Sequence, residues 1–443
     1  MLNRPICMDP PPDERTAWPG GRYTAWLGWL APALYFMYEF LVRVLPSVVE
    51  VELQNEMDAS GASVGFNIGL YYLAYAPMQL VVGLLLDRFG GRRPIGWSAV
   101  VLASGCVLFA LAQSIGWLGA GRFLMGLGSA FAYIGTIYVA SAWFPARRIA
   151  LIAGLTAALG MVGAIAGQVV VGLVLEVMDW RTAMLILAGI GGALAVLVWL
   201  LVPDRPMYLT RRIKAAHANE GGGLFASLRC VMRVRANWVL AVAVALLYLP
   251  VDVFASMWGD RYLEHALKMS PGAAQAAAAV VFLGLGLSAP LMGWWTDRTG
   301  KRLPAMRLSA CLAFVALMLQ FYVVNVDTAN WSFPLLFALG LGCGGVILGF
   351  AVAIDQNPDH TRGTALAFLN CAQMGLVFAG EWLVGVLLDS LAGSGADVAY
   401  TRGDFQVAFA VLAVSVLMSV VLMCVLRHRT NNRGSAFKTT LAH

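Results

Sequence analysis

Five charged side chains stand inside stretches too apolar to solvate them: Glu39, Arg43, Arg122, Asp252 and Glu381. At the centre of a bilayer such a group costs about 2.5–3.5 kcal/mol, so each is a candidate for function. Glu39, Asp252 and Glu381 can exchange a desolvated charge for a neutral acid by taking up a proton, which makes them proton-coupling candidates. A guanidinium can grip a carboxylate or phosphate with two parallel hydrogen bonds, which makes Arg43 the first candidate for an anionic group on a solute. Glu39 and Arg43 are four residues apart, hence on one helix face, so a structural pair between them is the competing reading. Arg122 divides the same way, between solute binding and pairing with a neighbouring helix.

Uncharged polar groups extend the binding set. Tyr38, Tyr133, Gln168, Tyr248, Asn370 and Gln373 are the substrate-binding candidates, with Tyr71, Tyr72 and Tyr75 as further polar positions. Asn370 and Gln373 are three residues apart, and Glu381 lies about three turns beyond Asn370 on the same general helix face. Asp355, just before Pro358, reads as a cap or gate.

Other chemistry finds no support. No His/Cys/carboxylate cluster suggests a metal, no Ser/His/Asp set suggests hydrolysis, and no GxxxxGK[ST] stretch suggests direct use of ATP, so neither a cofactor nor an enzyme is expected. Gly340-Leu-Gly342-Cys-Gly344-Gly345 fits GxGxxG, but it follows no strand and reads as close helix packing.

The elements that must position these groups follow from composition. Sixty per cent of the 443 residues are hydrophobic and 12% are charged, against about 25% charged in an ordinary soluble domain. A spanning helix needs about 20 mostly apolar residues, and twelve such runs occur, from 24–47 to 405–426. The fold class is therefore all-α membrane protein, twelve transmembrane helices in two pseudo-symmetric six-helix bundles. The expected organisation is a disordered cytoplasmic arm at 1–23, a bundle at 24–202, a cytoplasmic central loop at 203–236, a second bundle at 237–427 and a cytoplasmic tail at 428–443. Of the 30 Lys and Arg residues, 24 fall in segments on the side of the termini. The positive-inside rule then places both termini in the cytoplasm. The net charge of +6 is spread over these short loops, so it reads as orientation rather than nucleic-acid binding.

The duplication is written in one stretch. Gly83-Leu-Leu-Leu-Asp87-Arg88-Phe-Gly90-Gly-Arg92-Arg93-Pro94 returns as Gly293-Trp-Trp-Thr-Asp297-Arg298-Thr-Gly300-Lys301-Arg302-Leu-Pro304, with the aspartates 210 residues apart. Asp87, Arg88, Arg92, Asp297, Arg298 and Arg302 form a candidate conformational latch, with glycines at 90 and 91 permitting a sharp turn. Glu39 and Asp252 are 213 apart, close to the repeat offset, so they are expected to be symmetry mates facing a shared cavity.

These paired loops, each between the second and third helix of a six-helix half, resemble the signature loop of the major facilitator superfamily. Gly121-Arg122-Phe-Leu-Met-Gly126-Leu-Gly128, Gly160-Met-Val-Gly163-Ala-Ile-Ala-Gly167-Gln168 and Asp179-Trp180-Arg181 are similar to further patterns of that superfamily. The resemblance covers about residues 24–427 and implies alternating access by two rocking bundles. Tyr38-Glu39-Phe-Leu-Val-Arg43-Val-Leu-Pro46 resembles the first helix of organic-anion and sugar-phosphate porters, which implies solute binding by Arg43. Ser129 replaces an acidic residue found in some of those relatives, and Asp252 stands where a phosphate-binding arginine is absent. That shifts the expectation from phosphate esters toward zwitterions and small carboxylates. Gly163 is followed by Ala164, not the proline usual in drug/proton antiporters.

The expected function is secondary active transport of a small polar or anionic organic solute, such as an organic acid or amino acid, by proton-coupled import. The partners are a small-molecule substrate, H+ and the lipid bilayer, with no nucleic acid, in a monomer of a bacterial inner membrane. Efflux of an amphipathic compound or siderophore-type cargo, and a solute-sensing transceptor, are the alternatives.

Overall fold

The computed structural model describes residues 22–144, 146–202, 224–358, 361–392 and 400–426. Most of the expected arm, the central loop through residue 223 and the tail from 427 lie outside the described residues, as do the side chains of Asp87 and Asp297. Twelve described spans are long and apolar enough to cross a membrane: α1 (Ala25–Val48), α2 (Gly61–Leu86), α3 (Arg92–Ala110), α4 (Ile115–Trp143), α5 (Leu151–Leu175), α6 (Trp180–Leu201), α7 (Arg235–His265), α8 (Pro271–Thr296), α9 (Arg302–Val323), α10 (Val326–Gln356), α11 (Arg362–Ala392) and α12 (Arg402–Val425). Helices are the expected solution in lipid, where each backbone amide must find its partner within the segment.

Local chemistry marks several starts. The Ser60 side chain accepts from the amide of Ser63 at the head of α2, and the Asp179 side chain accepts from Thr182 N at 2.9 Å at the head of α6. Thr401 and Asp404 form a reciprocal capping box at α12. The repeated basic stretches end their helices on Gly90 (φ 79°) and Gly300 (φ 66°), left-handed positions that favour glycine. Gly91 keeps an ordinary φ of −76°. A side chain there would instead meet Val139 Cγ2 at 2.9 Å, so its glycine serves packing rather than the turn.

The halves repeat one packing scheme. In the first, α2 packs on α4, α3 on α4 and α6, and α1 on α5; in the second, α8 packs on α10, α9 on α10 and α12, and α7 on α11. Close backbone approach is duplicated too: a Cβ on Gly126 would lie 2.0 Å from the Tyr71 carbonyl oxygen, and one on Gly340 equally close to that of Val281. The GxGxxG stretch is thus a helix-packing surface. Between the halves, α2 lies along α11, α5 along α8, and α1 against the middle of α7.

A proline inside a helix ordinarily breaks or bends it, and α7 carries Pro250 at its middle. The chain instead stays helical and widens into a π-helical stretch, Pro250–Trp258. The proline removes one amide donor, and the ladder continues in a wider register.

The helices alternate direction, so the bundle has a basic end, with the α2–α3 and α8–α9 loops, and an acidic end, with the short helix Glu50–Met57. At the acidic end the halves are clasped. Asp389 of α11 accepts hydrogen bonds from the amides of Gly61 (2.9 Å) and Ala62 (2.7 Å) at the start of α2, and the Tyr400 hydroxyl donates to it at 2.9 Å. A carboxylate is favoured there by the helix dipole. Arg261 of α7 forms a buried ion pair with Glu50 at 2.7 Å and lies 4.3 Å above the Tyr400 ring.

Candidate functional site

The charged residues of the apolar spans converge at the centre. Glu39 and Arg43 of α1 are both buried, and they pair as their spacing allows: Arg43 Nε donates to Glu39 Oε1 at 2.9 Å and Nη2 to the same oxygen at 2.5 Å. The Tyr71 hydroxyl of α2 donates to that oxygen as well. Three donors therefore crowd Oε1, while Oε2 is buried with no partner. The Arg43 guanidinium lies 4.3 Å from the Phe40 ring and 5.4 Å from that of Tyr75, so aromatic faces hold it. The Tyr75 hydroxyl interacts with both Arg43 and Asn370, tying α1 through α2 to α11.

Asp252 faces this pair from the π-helical part of α7. It is buried, accepts from Ser256 Oγ at 3.1 Å, and leaves Oδ2 unpartnered. From the second half it lies within electrostatic reach of both Glu39 and Arg43. Glu381 of α11 is buried with Oε2 unpartnered, and the Tyr72 hydroxyl interacts with both Asp252 and Glu381. Gln373, about two turns earlier on α11, is buried with its Oε1 unpartnered, and Tyr248 borders Asp252.

Several expected ligands point elsewhere. Arg122 donates to the carbonyls of Ile68 (3.3 Å), Val42 (3.3 Å) and Arg43 (3.4 Å), and lies 4.6 Å from the Tyr71 ring. It thereby staples α4 to the backbones of α1 and α2. The Tyr38 hydroxyl donates to Leu187 O at 2.8 Å, inside the first bundle. Tyr133 is exposed, with its ring 5.2 Å from Phe36. Gln168 donates to Ala255 O at 2.5 Å and accepts from Ser47 at 3.2 Å, bridging α5 to α7 between the halves. Among the latch candidates, Arg298 stacks 4.2 Å from the Trp294 ring, Arg88 lies 5.2 Å from the Phe89 ring, and Arg302 pairs with Asp355 within the second half.

If every group is ionised, three carboxylates share the region with two guanidiniums, of which Arg43 pairs with Glu39 and Arg122 is turned to main-chain carbonyls, and each carboxylate keeps one unpartnered oxygen. The cluster is short of one positive charge, to be supplied by a proton or a cationic group. Among the described residues, no group of His, Cys, Asp and Glu could hold a metal. A hollow of about 530 Å³ lies apart from these charges among apolar side chains of α2, α3 and α4, such as Leu85 and Trp97.

Comparison with known proteins agrees with this architecture: the Major Facilitator Superfamily profile matches residues 29–248 and again 240–441. The chain belongs to the Major Facilitator Superfamily. It is similar to the "Probable galactarate/D-glucarate transporter" of Bacillus subtilis, with 24% identity over 387 residues, covering 81% of this chain and 85% of that one. The human "Lysosomal dipeptide transporter" is 25% identical over 410 residues, covering 88% and 82%. A bacterial homologue of the human lysosomal transporter Spinster, solved in an inward-facing and unoccupied conformation, superimposes with a TM-score of 0.70 at 18% identity. That match covers 92% of this chain and 96% of the other. This superfamily member is therefore an integral multi-pass membrane transporter with a small-molecule substrate, and not an enzyme.

Sequence reasoning identified the five central charges and offered the Glu39–Arg43 pair, but gave little weight to the tyrosines around them. Tyr71, Tyr72 and Tyr75 entered only as further polar positions, yet the Tyr71 hydroxyl donates to Glu39 and the rings of Tyr71 and Tyr75 lie 5.6 Å and 5.4 Å from the Arg43 guanidinium. Three tyrosines within five residues of one apolar span were the available signal. Asp389 escaped notice altogether, because its partners on Gly61 and Ala62 are 328 and 327 residues away.

Proposed function

We propose that this transporter imports a small organic acid or zwitterion together with protons, and the observation that carries the proposal is the arrangement around Arg43. Its guanidinium is held by Glu39, within electrostatic reach of Asp252. A carboxylate on the solute takes the place of Glu39 against Arg43. Glu39 is then left without its cation in a desolvated site, where taking up a proton removes the cost of the bare charge. Asp252 and Glu381, each with an unpartnered oxygen, accept either the second proton or the ammonium group of a zwitterion. The sugar-acid and dipeptide cargoes in the relatives' names support a carboxylate-bearing solute.

In this reading Tyr75, Asn370, Gln373 and Tyr248 complete the solute's surroundings, while Arg122 and Gln168 hold the helices that frame them. The two bundles, 24–202 and 237–427, rock about this centre, with Asp87, Arg88, Arg92 and their counterparts Asp297, Arg298 and Arg302 latching the basic end. The weight of Lys and Arg at that end supports reading it as the cytoplasmic side, in a bacterial inner membrane on this proposal.

The test is uptake into proteoliposomes of sugar acids, amino acids and dipeptides, with and without an inward proton gradient. Accumulation of a carboxylate-bearing solute that collapses with a protonophore is the expected result. Accumulation that is indifferent to the gradient refutes the coupling, and uptake confined to solutes lacking a carboxylate refutes the role of Arg43.

A further inference from the structure

A second polar site lies at the acidic end, apart from the central cluster. It is a hollow of about 290 Å³ walled by both halves. From the first half come Glu50 and Glu52 of the short helix and Glu176 after α5; from α7 come Asp260, Arg261, Glu264 and His265. Most of these groups are already accounted for. Arg261 is paired with Glu50 at 2.7 Å. Glu52, Glu176 and His265 are exposed and Glu264 is half-buried, so water supports their charges.

Asp260 differs from all of them. It is 4% exposed, and neither carboxylate oxygen has a hydrogen-bond partner. The Ser47 hydroxyl that lines the same hollow is turned to Val44 O (2.9 Å) and Gln168 Oε1 (3.2 Å). The cation next in sequence, Arg261, belongs to Glu50, and the remaining neighbours are mostly acidic. A bare carboxylate so buried has no counter-ion of its own, and an O–H bond on one oxygen removes the charge altogether.

We propose that Asp260 is a proton-binding site of the acidic-end gate: its carboxylate takes one proton from the solution on that side as the halves close over it, and returns it when they part. The closed form binds the proton and the open form releases it. By linkage, acid therefore holds this end shut and alkali favours opening. The inference takes from the proposed function only that the halves part at this end. It holds whatever the cargo, and whether or not Glu39 and Asp252 carry a coupling proton.

The test uses the full-length chain in lipid nanodiscs, with native cysteines replaced and spin labels at N55C and D327C, exposed positions of the two halves at this end. Their separation is expected to be short near about pH 5 and to lengthen toward about pH 8, the range through which a perturbed carboxylate or histidine titrates. In D260N, which carries the neutral form permanently, the short distance should persist across the range. H265Q should respond as the parent does. A parent distance that ignores pH, a D260N protein that still opens with alkali, or an H265Q protein that has lost the response overturns the proposal. So does a distance that follows sodium or calcium concentration at fixed pH, which would make the hollow a metal site. Dicyclohexylcarbodiimide, which modifies protonated buried carboxyl groups, gives an independent reading on the unsubstituted chain. Mass mapping should find its adduct on Asp260 at acid pH, and no adduct there at any pH overturns the assignment. Failure of the proton-coupled reading appears separately, in uptake assays of E39Q and D252N, and leaves these distances unchanged.

Discussion

In the first half, α1 brings an acid and a base together: Glu39 and Arg43 are paired, and Tyr71 donates to the shared oxygen. In the second half, α7 holds Asp252 on a π-helical stretch behind Pro250, with Ser256 as its hydrogen-bond donor. The helix packing of the two halves matches element for element. Their charges do not. When duplicated halves keep their contacts and diverge in their ionisable groups, the shared contacts belong to the rocking machinery and the divergent charges to the cargo and its driving ion. Under the proposed function, the first half supplies the grip on an anion and the second an acid that changes its charge.

Arg43→Ala tests the first part and carries the largest expected effect. Removing one partner of a desolvated charge pair should lower uptake of a carboxylate solute by about 100-fold or more, with the protein still folded in the membrane by thermal unfolding. Undiminished uptake would reduce Arg43 to a partner of Glu39. Next come Asp252→Asn and Glu39→Gln, which should lose pH-driven accumulation and retain counterflow exchange. If both variants accumulate solute normally under a proton gradient, the contrast in charge has another purpose. The smallest effect is expected at the duplicated loops, where Asp87→Asn and Asp297→Asn should slow turnover and leave the apparent affinity unchanged. Equal slowing would show a symmetric latch. A loss of affinity in either variant would place that loop in the binding path.

Much of this was legible in one sequence because lipid imposes strong rules. Twelve apolar runs, the repeated Asp-Arg-x-Gly loop and the clustering of basic residues at one end each follow from a single physical demand, that charge and bare backbone stay out of hydrocarbon. The i, i+4 spacing of Glu39 and Arg43 allowed their pairing, which stood as the alternative to solute binding. The reading of Arg122 illustrates the limit. Its type and position suited an anion site equally well, and only the packing of α4 against α1 and α2 turns its donors onto main-chain carbonyls.

The sequence alone determined that the chain spans a membrane twelve times in two related halves, and that Glu39, Arg43, Arg122, Asp252 and Glu381 are its costly interior charges. The physical reason is that hydrophobic length, charge placement and repeat offset are properties of the linear chain. Only the tertiary structure decided which carboxylate oxygens lack partners, that Tyr71 donates to Glu39, and that Asp389 and Arg261 clasp the acidic end. Hydrogen bonds and desolvation depend on which side chains meet across hundreds of residues, and a pattern read along the chain carries no record of those meetings.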